Sequence, residues 1–246
     1  MQIVGIGSIV FFEGGCLWIG CSKRQVEPHA HHAIQVTLGL SGPVRIRNGQ
    51  NRWKSYHAVM VPSGLAHEFE AMETIVAHLL VAPESAAGLA IVERFGAEKI
   101  VGLPHVPQAE SLFALFAAGA PPERLVTASR ASIEFLTNGV APTRVLDRRV
   151  KKAIGEIRQR LGGAVALNEI AAAVSLSPGR FRHLFAAETG VPFRRYVLWL
   201  RLEEALAAAL DGASWTESAY LAGFADSAHL TRTLRRMLGI PPSAIR

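Results

Sequence analysis

Histidines crowd the short segment HAHHAIQ, which runs from His29 to Gln35. In an extended strand alternate side chains share a face, so His29 and His31 point together, Gln35 joins them and His32 points away. Imidazole nitrogens are common ligands of zinc, iron, nickel and copper. The segment therefore predicts a cluster of polar side chains that binds a metal ion or lines a pocket.

A third histidine follows a second turn signal. The segment PSGLAHEFE has a turn at Pro62–Gly64, and His67 comes just after it. Three histidines can hold a divalent ion and leave one coordination position open. The same side chains can instead line a metal-free pocket for a small effector, or only pack a core. The residues alone leave these three interpretations open.

Strands are the elements that must position these histidines. The segment QVTLGLSGPVRIRNGQNRWKSYHAVMVPSG alternates apolar and polar residues, and SGP, NGQN and PSG break it at short intervals. Short strands with tight turns predict a small sandwich or barrel. Beyond Pro83 the period becomes helical. We expect a strand-rich domain with a helical extension over residues 1–140, an α+β fold overall, and a helical domain over 147–246.

An internal repeat organises this helical region. The segments LNEIAAAVSLSPGRFRHLFAAETGVP and WTESAYLAGFADSAHLTRTLRRMLGIPP align with one inserted residue. Each copy has a short Ala-containing helix, a tight turn, a helix start at Ser177 or Asp226, and a glycine that ends the second helix. This pattern predicts two helix-turn-helix units, whose second helices insert their N-terminal parts into the major groove of DNA.

The charge distribution supports a polyanion partner. Residues 143–246 contain 16 Lys and Arg against 9 Asp and Glu, whereas the first 142 residues contain 10 against 11. All of the excess positive charge therefore lies in the helical region, which indicates nucleic-acid binding. Two helix-turn-helix units in one chain are expected to contact successive major-groove segments about 34 Å apart.

Residues 147–246 resemble the C-terminal DNA-binding domain of AraC-type transcription factors. The segments SLSPGRFRHLFAAETGVPFRRYVLWLRLEEA and GFADSAHLTRTLRRMLGIPPSAIR carry this resemblance. It implies an operator of double-stranded DNA, RNA polymerase as a partner and a homodimer. The base contacts that it implies are Gly179, Arg182 and His183 in the first unit and Ser227, Ala228, Thr231 and Arg232 in the second. Exposed arginines nearby are expected to contact phosphates: Arg180, Arg194, Arg195, Arg235 and Arg236.

Some positions depart from the AraC-type pattern. Gly179 has no side chain where the family often has a larger one. Leu234 and Leu238 stand where Phe is frequent, and Ser218 stands where Ile is frequent. We therefore expect the second unit to be the weaker base reader.

The first half of the chain resembles cupin barrels. The spacing H-x-H-x3-Q-x6-G from His29 to Gly42, followed by P-x-G-x2-H, is similar to the two cupin motifs. The resemblance implies a cupin-like β-barrel and a ligand set for zinc, iron, nickel or copper: His29, His31, Gln35 and His67. Gln replaces the usual Glu, and Tyr56 occupies the place of an expected Gly. A metal is thus compatible with the site but is not a required cofactor.

Two functions compete. The first is a non-enzymatic transcriptional regulator whose N-terminal domain senses a small molecule or metal ion. The second is a metal-dependent cupin enzyme fused to a DNA-binding domain, which needs a general base near the metal. Glu68 and Glu70 are the close carboxylates, and strand alternation turns both away from His67 or leaves them at a loop. The regulator is therefore the favoured function, with no catalytic residue assigned.

The remaining features favour an ordinary intracellular protein. No apolar run reaches the roughly 18 to 20 residues needed to cross a bilayer. The start MQIVGIGSIVFFEGG lacks a basic region and a cleavage site, so it predicts a strand rather than a signal peptide. Cys16 and Cys21 match no zinc or redox motif. We expect a cytoplasmic protein without membrane contact.

Overall fold

A computed structural model describes residues 5–23, 25–242 and 245. The chain forms two compact units, one of Met1–Thr143 with Arg235–Arg246 and one of Arg144–Leu234. In the part of the chain described, none of the helices is long and apolar enough to cross a membrane.

The described residues form ten strands, which fall in two antiparallel sheets. Their bounds are β1 Gly5–Phe12, β2 Gly15–Ser22, β3 Gln25–His29, β4 Ile34–Gly39, β5 Val44–Arg47, β6 Lys54–Tyr56, β7 Ala58–Val61, β8 His67–Glu70, β9 Thr74–Val81 and β10 Val101–Gly102. The larger sheet has the order β1-β2-β9-β4-β7-β10, and the smaller has β3-β8-β5-β6. The predicted sheet-rich N-terminal domain is confirmed. Among the described strands, however, the two sheets do not close into one barrel.

Apolar side chains from both sheets form a shared core. Val44, Ile46 and Phe69 of the smaller sheet pack in one cluster with Val59 and Val61 of the larger sheet. Each of these side chains is almost completely buried. Full burial of such a side chain contributes roughly 1.5–3 kcal/mol. This core fixes the register of the strands that carry the histidines.

Three helices cover the other face of the larger sheet. Their bounds are α1 Ala86–Phe95, α2 Gln108–Ala117 and α3 Pro122–Thr137. Leu112 of α2 and Leu136 of α3 pack in one cluster with Leu17, Val36 and Leu79 of the sheet. The strand β4 therefore lies between these helices and the smaller sheet, and all of its residues except Gly39 are buried.

The second unit is helical. Its last helix extends beyond the end of the unit at Leu234 and stops at Leu238. The bounds are α4 Arg148–Gln159, α5 Leu167–Ala173, α6 Pro178–Thr189, α7 Phe193–Leu210, α8 Trp215–Leu221 and α9 Ser227–Leu238. Four rings form its aromatic centre at centroid distances of 5.1 to 5.6 Å: Phe181, Phe185, Phe193 and Tyr196. The prediction of a helical C-terminal region is confirmed.

Candidate functional site

Three histidines meet at one end of the smaller sheet. His29 ends β3 and lies directly opposite His67, the first residue of β8. The ring of His31 lies 5.4 Å from that of His67 and 5.7 Å from that of His29, measured between centroids. One ligand nitrogen from each residue lies within 4.8 Å of the other two, and all three side chains are buried. The predicted convergence of these histidines is present.

The local backbone that achieves this convergence differs from a continuous strand. The chain leaves β3 at His29, and residues 30–33 form a bend before β4 begins at Ile34. His31 therefore joins the cluster from a bend rather than by strand alternation. His32 lies apart from it, because its Nε2 is 2.8 Å from the carboxylate of Glu84.

Backbone carbonyl groups fix the tautomer of all three rings. In each ring Nδ1 lies 2.8 to 2.9 Å from the carbonyl oxygen of a residue two positions away: Glu27 for His29, Ala33 for His31 and Leu65 for His67. A carbonyl oxygen only accepts, so Nδ1 carries the hydrogen and donates it. In the neutral ring Nε2 then keeps its lone pair. The same arrangement orients histidines that bind metals in proteins.

Burial keeps these rings neutral. Desolvation, helped by the neighbouring rings, lowers the pKa of His31 to about 4 and the pKa of His67 well below its usual value. Desolvation also lowers the pKa of His29. At neutral pH all three rings therefore present lone pairs rather than N–H groups at Nε2.

The cluster fits a divalent metal ion. The Nε2 atom of His67 is buried and has no hydrogen-bond partner among the described residues. A buried acceptor without a partner costs roughly 1–3 kcal/mol, which a ligand at that position removes. Three neutral imidazoles are a ligand set typical of zinc, iron, nickel or copper.

Gln35 extends the cluster into the space between the sheets. Its Oε1 lies 3.1 Å from Nε2 of His31, so Gln35 lies beside the histidines. Its amide nitrogen lies 3.0 Å from Oγ1 of Thr37, and that oxygen lies 2.9 Å from Nδ1 of His78. Gln35 and Thr37 lie on β4 and His78 lies on β9, and Thr37 and His78 are directly opposite each other.

Sequence reasoning did not assign Thr37 or His78 to the site. Thr37 is two positions after Gln35 on the same strand, so the alternation of side chains was a usable signal. His78 had no such signal, because its place depends on the register between β4 and β9. Burial lowers the pKa of His78 to about 3, so this ring is also neutral.

The nearby carboxylates point elsewhere. Glu68 forms two hydrogen bonds with the guanidinium of Arg47 and accepts another from Gln25. Glu70 pairs with Arg45. These partners lie on β5 and β3, on the outer face of the smaller sheet, so strand alternation separates both carboxylates from His67 as predicted.

A separate groove lies at the edge of the larger sheet. It has a volume of about 590 Å³ and lies between β10, the end of β4 and helix α2. Apolar residues such as Leu38 and Phe113 line it, together with Tyr56, His57 and Glu110. Its size matches that of a small-molecule site.

The first helix-turn-helix unit has the predicted local structure. Ile170 and Ala171 of α5 are fully buried. The hydroxyl of Ser177 accepts from the backbone N–H of Arg180 at the start of α6, and the helix ends at Gly190, which is left-handed with φ 75°. The cap and the C-terminal glycine are both confirmed.

The second unit repeats this arrangement with different residues. A capping box between Ser214 and Glu217 starts α8. The carboxylate of Asp226 accepts from the N–H of His229 at 2.6 Å and starts α9. Gly223 in the turn has φ 76°, and a Cβ there would clash with the carbonyl oxygen of Leu161. Only glycine fits this turn.

Comparison with known proteins identifies this repeat. Residues 170–246 match a protein family described as a helix-turn-helix domain. This region is an AraC-type helix-turn-helix domain. The chain therefore carries a DNA-binding domain in its C-terminal part. No curated protein matches the chain by sequence.

Solved structures share the fold of the chain. The crystal structure of ToxT from Vibrio cholerae O395 has a TM-score of 0.59 at 11% identity, and the match covers 92% of this chain and 94% of that one. Unsaturated fatty acid bound wild-type ToxT from V. cholerae strain SCE256 gives 0.57 at 11% identity, over 91% and 90%. An AraC-type regulator from Chromobacterium violaceum gives 0.37 at 23% identity, over 39% and 86%. The ToxT matches show a common fold, with a sheet-rich N-terminal part and a helical C-terminal part.

The AraC-type domain exposes most of the predicted DNA contacts. Two of these residues, Ser227 and Thr231, are half-buried, and the hydroxyl of Thr231 donates to the carbonyl of Ser227 within the helix. Its hydrogen is therefore already used inside α9. The other predicted contacts are exposed: Gly179, Arg180, Arg182, His183, Arg194, Arg195, Ala228, Arg232, Arg235 and Arg236.

Proposed function

We propose that this AraC-type regulator is a one-component metal sensor. Its domain at 147–246 binds operator DNA, and its cupin-like domain at 1–140 binds a divalent ion. The proposed ligands are His29, His31 and His67, with the Oε1 atom of Gln35 as the fourth. The observation that carries this proposal is the cluster of three buried, neutral imidazoles whose lone pairs face one another.

The chemistry of the proposed ligands determines which metal ions the site selects. Bound there, a divalent ion would act as a structural centre that joins β3, β8 and the bend between β3 and β4. None of the four proposed ligands is anionic, so the site has no carboxylate of the kind that calcium and magnesium prefer. We therefore expect selectivity for zinc, iron, nickel or copper over magnesium and calcium.

We propose different roles for two groups of exposed residues in the DNA-binding half. Residues near the start of α6 are proposed to read base edges, with Arg182 pairing with guanine. Arg182 and Arg194 line a common groove of about 540 Å³ beside the start of α5. Arginines later in the chain, Arg235 among them, are proposed to bind phosphates and supply affinity without sequence information.

Sensing requires that the ion favour one state of the protein over another. An effector shifts the affinity for DNA only by its differential binding to the two states. Typical coupling free energies are about 1–3 kcal/mol, or roughly 5- to 150-fold in affinity. RNA polymerase and a second copy of the chain are the further partners that the AraC-type resemblance implies.

An organic effector is the second candidate signal. The groove of about 590 Å³ beside α2 supports it, because it combines an apolar lining with a few polar groups. A ToxT structure that contains a bound unsaturated fatty acid adds support for a small-molecule site in this fold. In this alternative the histidine cluster stabilises the domain and the groove binds the signal.

The test measures operator affinity with and without zinc. A binding-site selection first supplies the operator, and fluorescence anisotropy then measures its affinity for metal-free and zinc-loaded protein. We expect at least about a 5-fold change for the wild type and no change for His67→Ala. An operator affinity that does not change with zinc in either protein would contradict metal sensing and leave DNA binding intact. Binding of random DNA alone would contradict the regulatory function itself.

A further inference from the structure

The two nitrogens of His31 face two acceptor oxygens. Nδ1 lies 2.9 Å from the carbonyl oxygen of Ala33, and Nε2 lies 3.1 Å from Oε1 of Gln35. A neutral imidazole has one N–H, and the carbonyl of Ala33 requires it at Nδ1. The lone pair of Nε2 then faces the lone pairs of Oε1. This contact is repulsive unless a cation lies near both atoms or the amide of Gln35 is reversed.

The other end of this amide belongs to a short hydrogen-bonded chain. The amide of Gln35 reaches Thr37, and Thr37 reaches His78 at 2.9 Å. Gln35 and Thr37 are buried, Thr37 completely. The hydroxyl of Thr37 has one hydrogen, so it donates in one direction and accepts from the other.

Two arrangements of the hydrogen atoms give every contact in this hydrogen-bonded chain one donor and one acceptor. In the first, the Gln35 amide donates to Thr37, Thr37 donates to Nδ1 of His78, and Oε1 of Gln35 faces the histidine cluster. In the second, Nδ1 of His78 donates to Thr37, Thr37 donates to Oε1 of Gln35, and the amide nitrogen donates to Nε2 of His31. The heavy atoms keep their places, since the oxygen and nitrogen of an amide are nearly equal in size.

Each arrangement suits one state of the cluster. The first offers four lone pairs to a cation and is repulsive without one. The second satisfies Nε2 of His31 without a cation and turns an N–H group toward the position that a cation would occupy. His78 is neutral in both arrangements and differs only in which ring nitrogen carries the hydrogen.

We propose that Thr37 and His78 are positioning residues that reverse the Gln35 amide when a divalent ion binds the histidine cluster. The inference rests on the proposed metal site. Binding moves the hydrogen of His78 from Nδ1 to Nε2, with no net gain or loss of a proton by that ring. The signal therefore extends from the cluster through the space between the sheets to β9.

Trp18 lies beside the far end of the hydrogen-bonded chain. Its ring is 5.4 Å from that of His78, and the ring of Phe69 is 4.8 Å from the same imidazole. Trp18 is directly opposite His78 on the neighbouring strand β2. A change in the tautomer of His78 alters the dipole next to this indole. The fluorescence of Trp18 is therefore a second readout, and the Trp18→Phe variant identifies its share of the emission.

The experiment follows the ring nitrogens of His78 by ¹⁵N NMR in the full chain, with zinc as the probe. The two neutral tautomers give different nitrogen shifts, and His78→Gln assigns the signals. We expect the Nδ1–H form without zinc and the Nε2–H form with one equivalent of zinc. Zinc that binds through His67, with an unchanged His78 tautomer, would overturn this inference and leave the metal site standing. Zinc that binds equally well to His67→Ala would overturn both.

A conservative variant tests the role of Thr37 independently. Thr37→Val keeps the shape of the side chain and removes the hydroxyl, whereas Thr127→Val makes the same change at an exposed position on α3. Residues that orient metal ligands typically contribute 10- to 100-fold to affinity. We expect Thr37→Val to bind zinc at least about 10-fold more weakly and to lose the zinc response of Trp18 fluorescence. Wild-type affinity and response in Thr37→Val would overturn the positioning role.

Discussion

His29 and His67 lie directly opposite each other on β3 and β8, with ring centroids 4.2 Å apart. This pairing joins residues that are far apart in sequence, and the register of the smaller sheet maintains it. A third ring, that of His31, completes the cluster from a bend. The cluster therefore depends on three separate segments of the folded chain.

Metal content depends on the paired histidines. We expect protein loaded with zinc and then dialysed to retain about one equivalent, because three neutral imidazoles converge at the cluster. Both His29→Ala and His67→Ala should lose it. Mass spectrometry of the metal in each protein is the measurement. His105→Ala is the matched control, since His105 is exposed and distant in sequence from the cluster; equal loss in that variant would contradict the assignment.

Stability of the metal-free protein should fall in mild acid. The pKa of His31 is about 4 in the folded chain and near 6.5 when unfolded. Between these values the unfolded chain binds the proton and the folded chain does not, so unfolding becomes easier as the pH falls. This contribution of His31 to the free energy of unfolding is fully present above about pH 6.5 and is lost as the pH falls toward 4. It amounts to about 3 kcal/mol, at about 1.4 kcal/mol per pKa unit.

Urea unfolding between pH 7 and pH 4.5 measures this dependence. His31→Gln should have a shallower decline, and His105→Gln should decline like the wild type. A free energy of unfolding that stays constant across this range would show that the buried histidines are not neutral in the folded chain.

Arginines proposed to contact bases and arginines proposed to contact phosphates should affect DNA binding differently. Arg182→Ala should reduce discrimination at one base position by about 1–3 kcal/mol, because it removes a contact to a base edge. Arg235→Ala should weaken binding to all sequences alike and reduce the salt dependence by about one phosphate contact. Binding-site selection and affinity against salt concentration measure both effects. The same selected motif for Arg182→Ala and the wild type would refute its role as a base reader.

The second recognition helix depends on its cap. The carboxylate of Asp226 accepts from the N–H of His229 at 2.6 Å. Asp226→Ala leaves that N–H without its partner and should lower the free energy of unfolding by about 1 kcal/mol. Asp226→Asn is the control, because its amide oxygen still accepts. Urea unfolding compares the three proteins, and an alanine variant as stable as the wild type would mean that the cap contributes nothing.

Local sequence signals determined the helical half. The caps at Ser177 and Asp226 and the glycines at 190 and 239 act within one turn of the chain, so propensity and spacing were sufficient to predict two helix-turn-helix units. The repeat then gave independent support for the same fold. Strand content and turns in the first eighty residues were predicted for the same local reason.

The binding cluster needed tertiary structure. The spacing of His29, His31 and Gln35 indicated that they would converge, but the bend at residues 30–33 that brings His31 in does not follow from strand alternation. The hydrogen-bonded chain from Gln35 through Thr37 to His78 exists because β4 and β9 pair in one register. Register is set by packing across the whole core, and no short segment of sequence contains that information. The sequence thus determined which groups were available for chemistry, and only the packed sheets decided which of them meet.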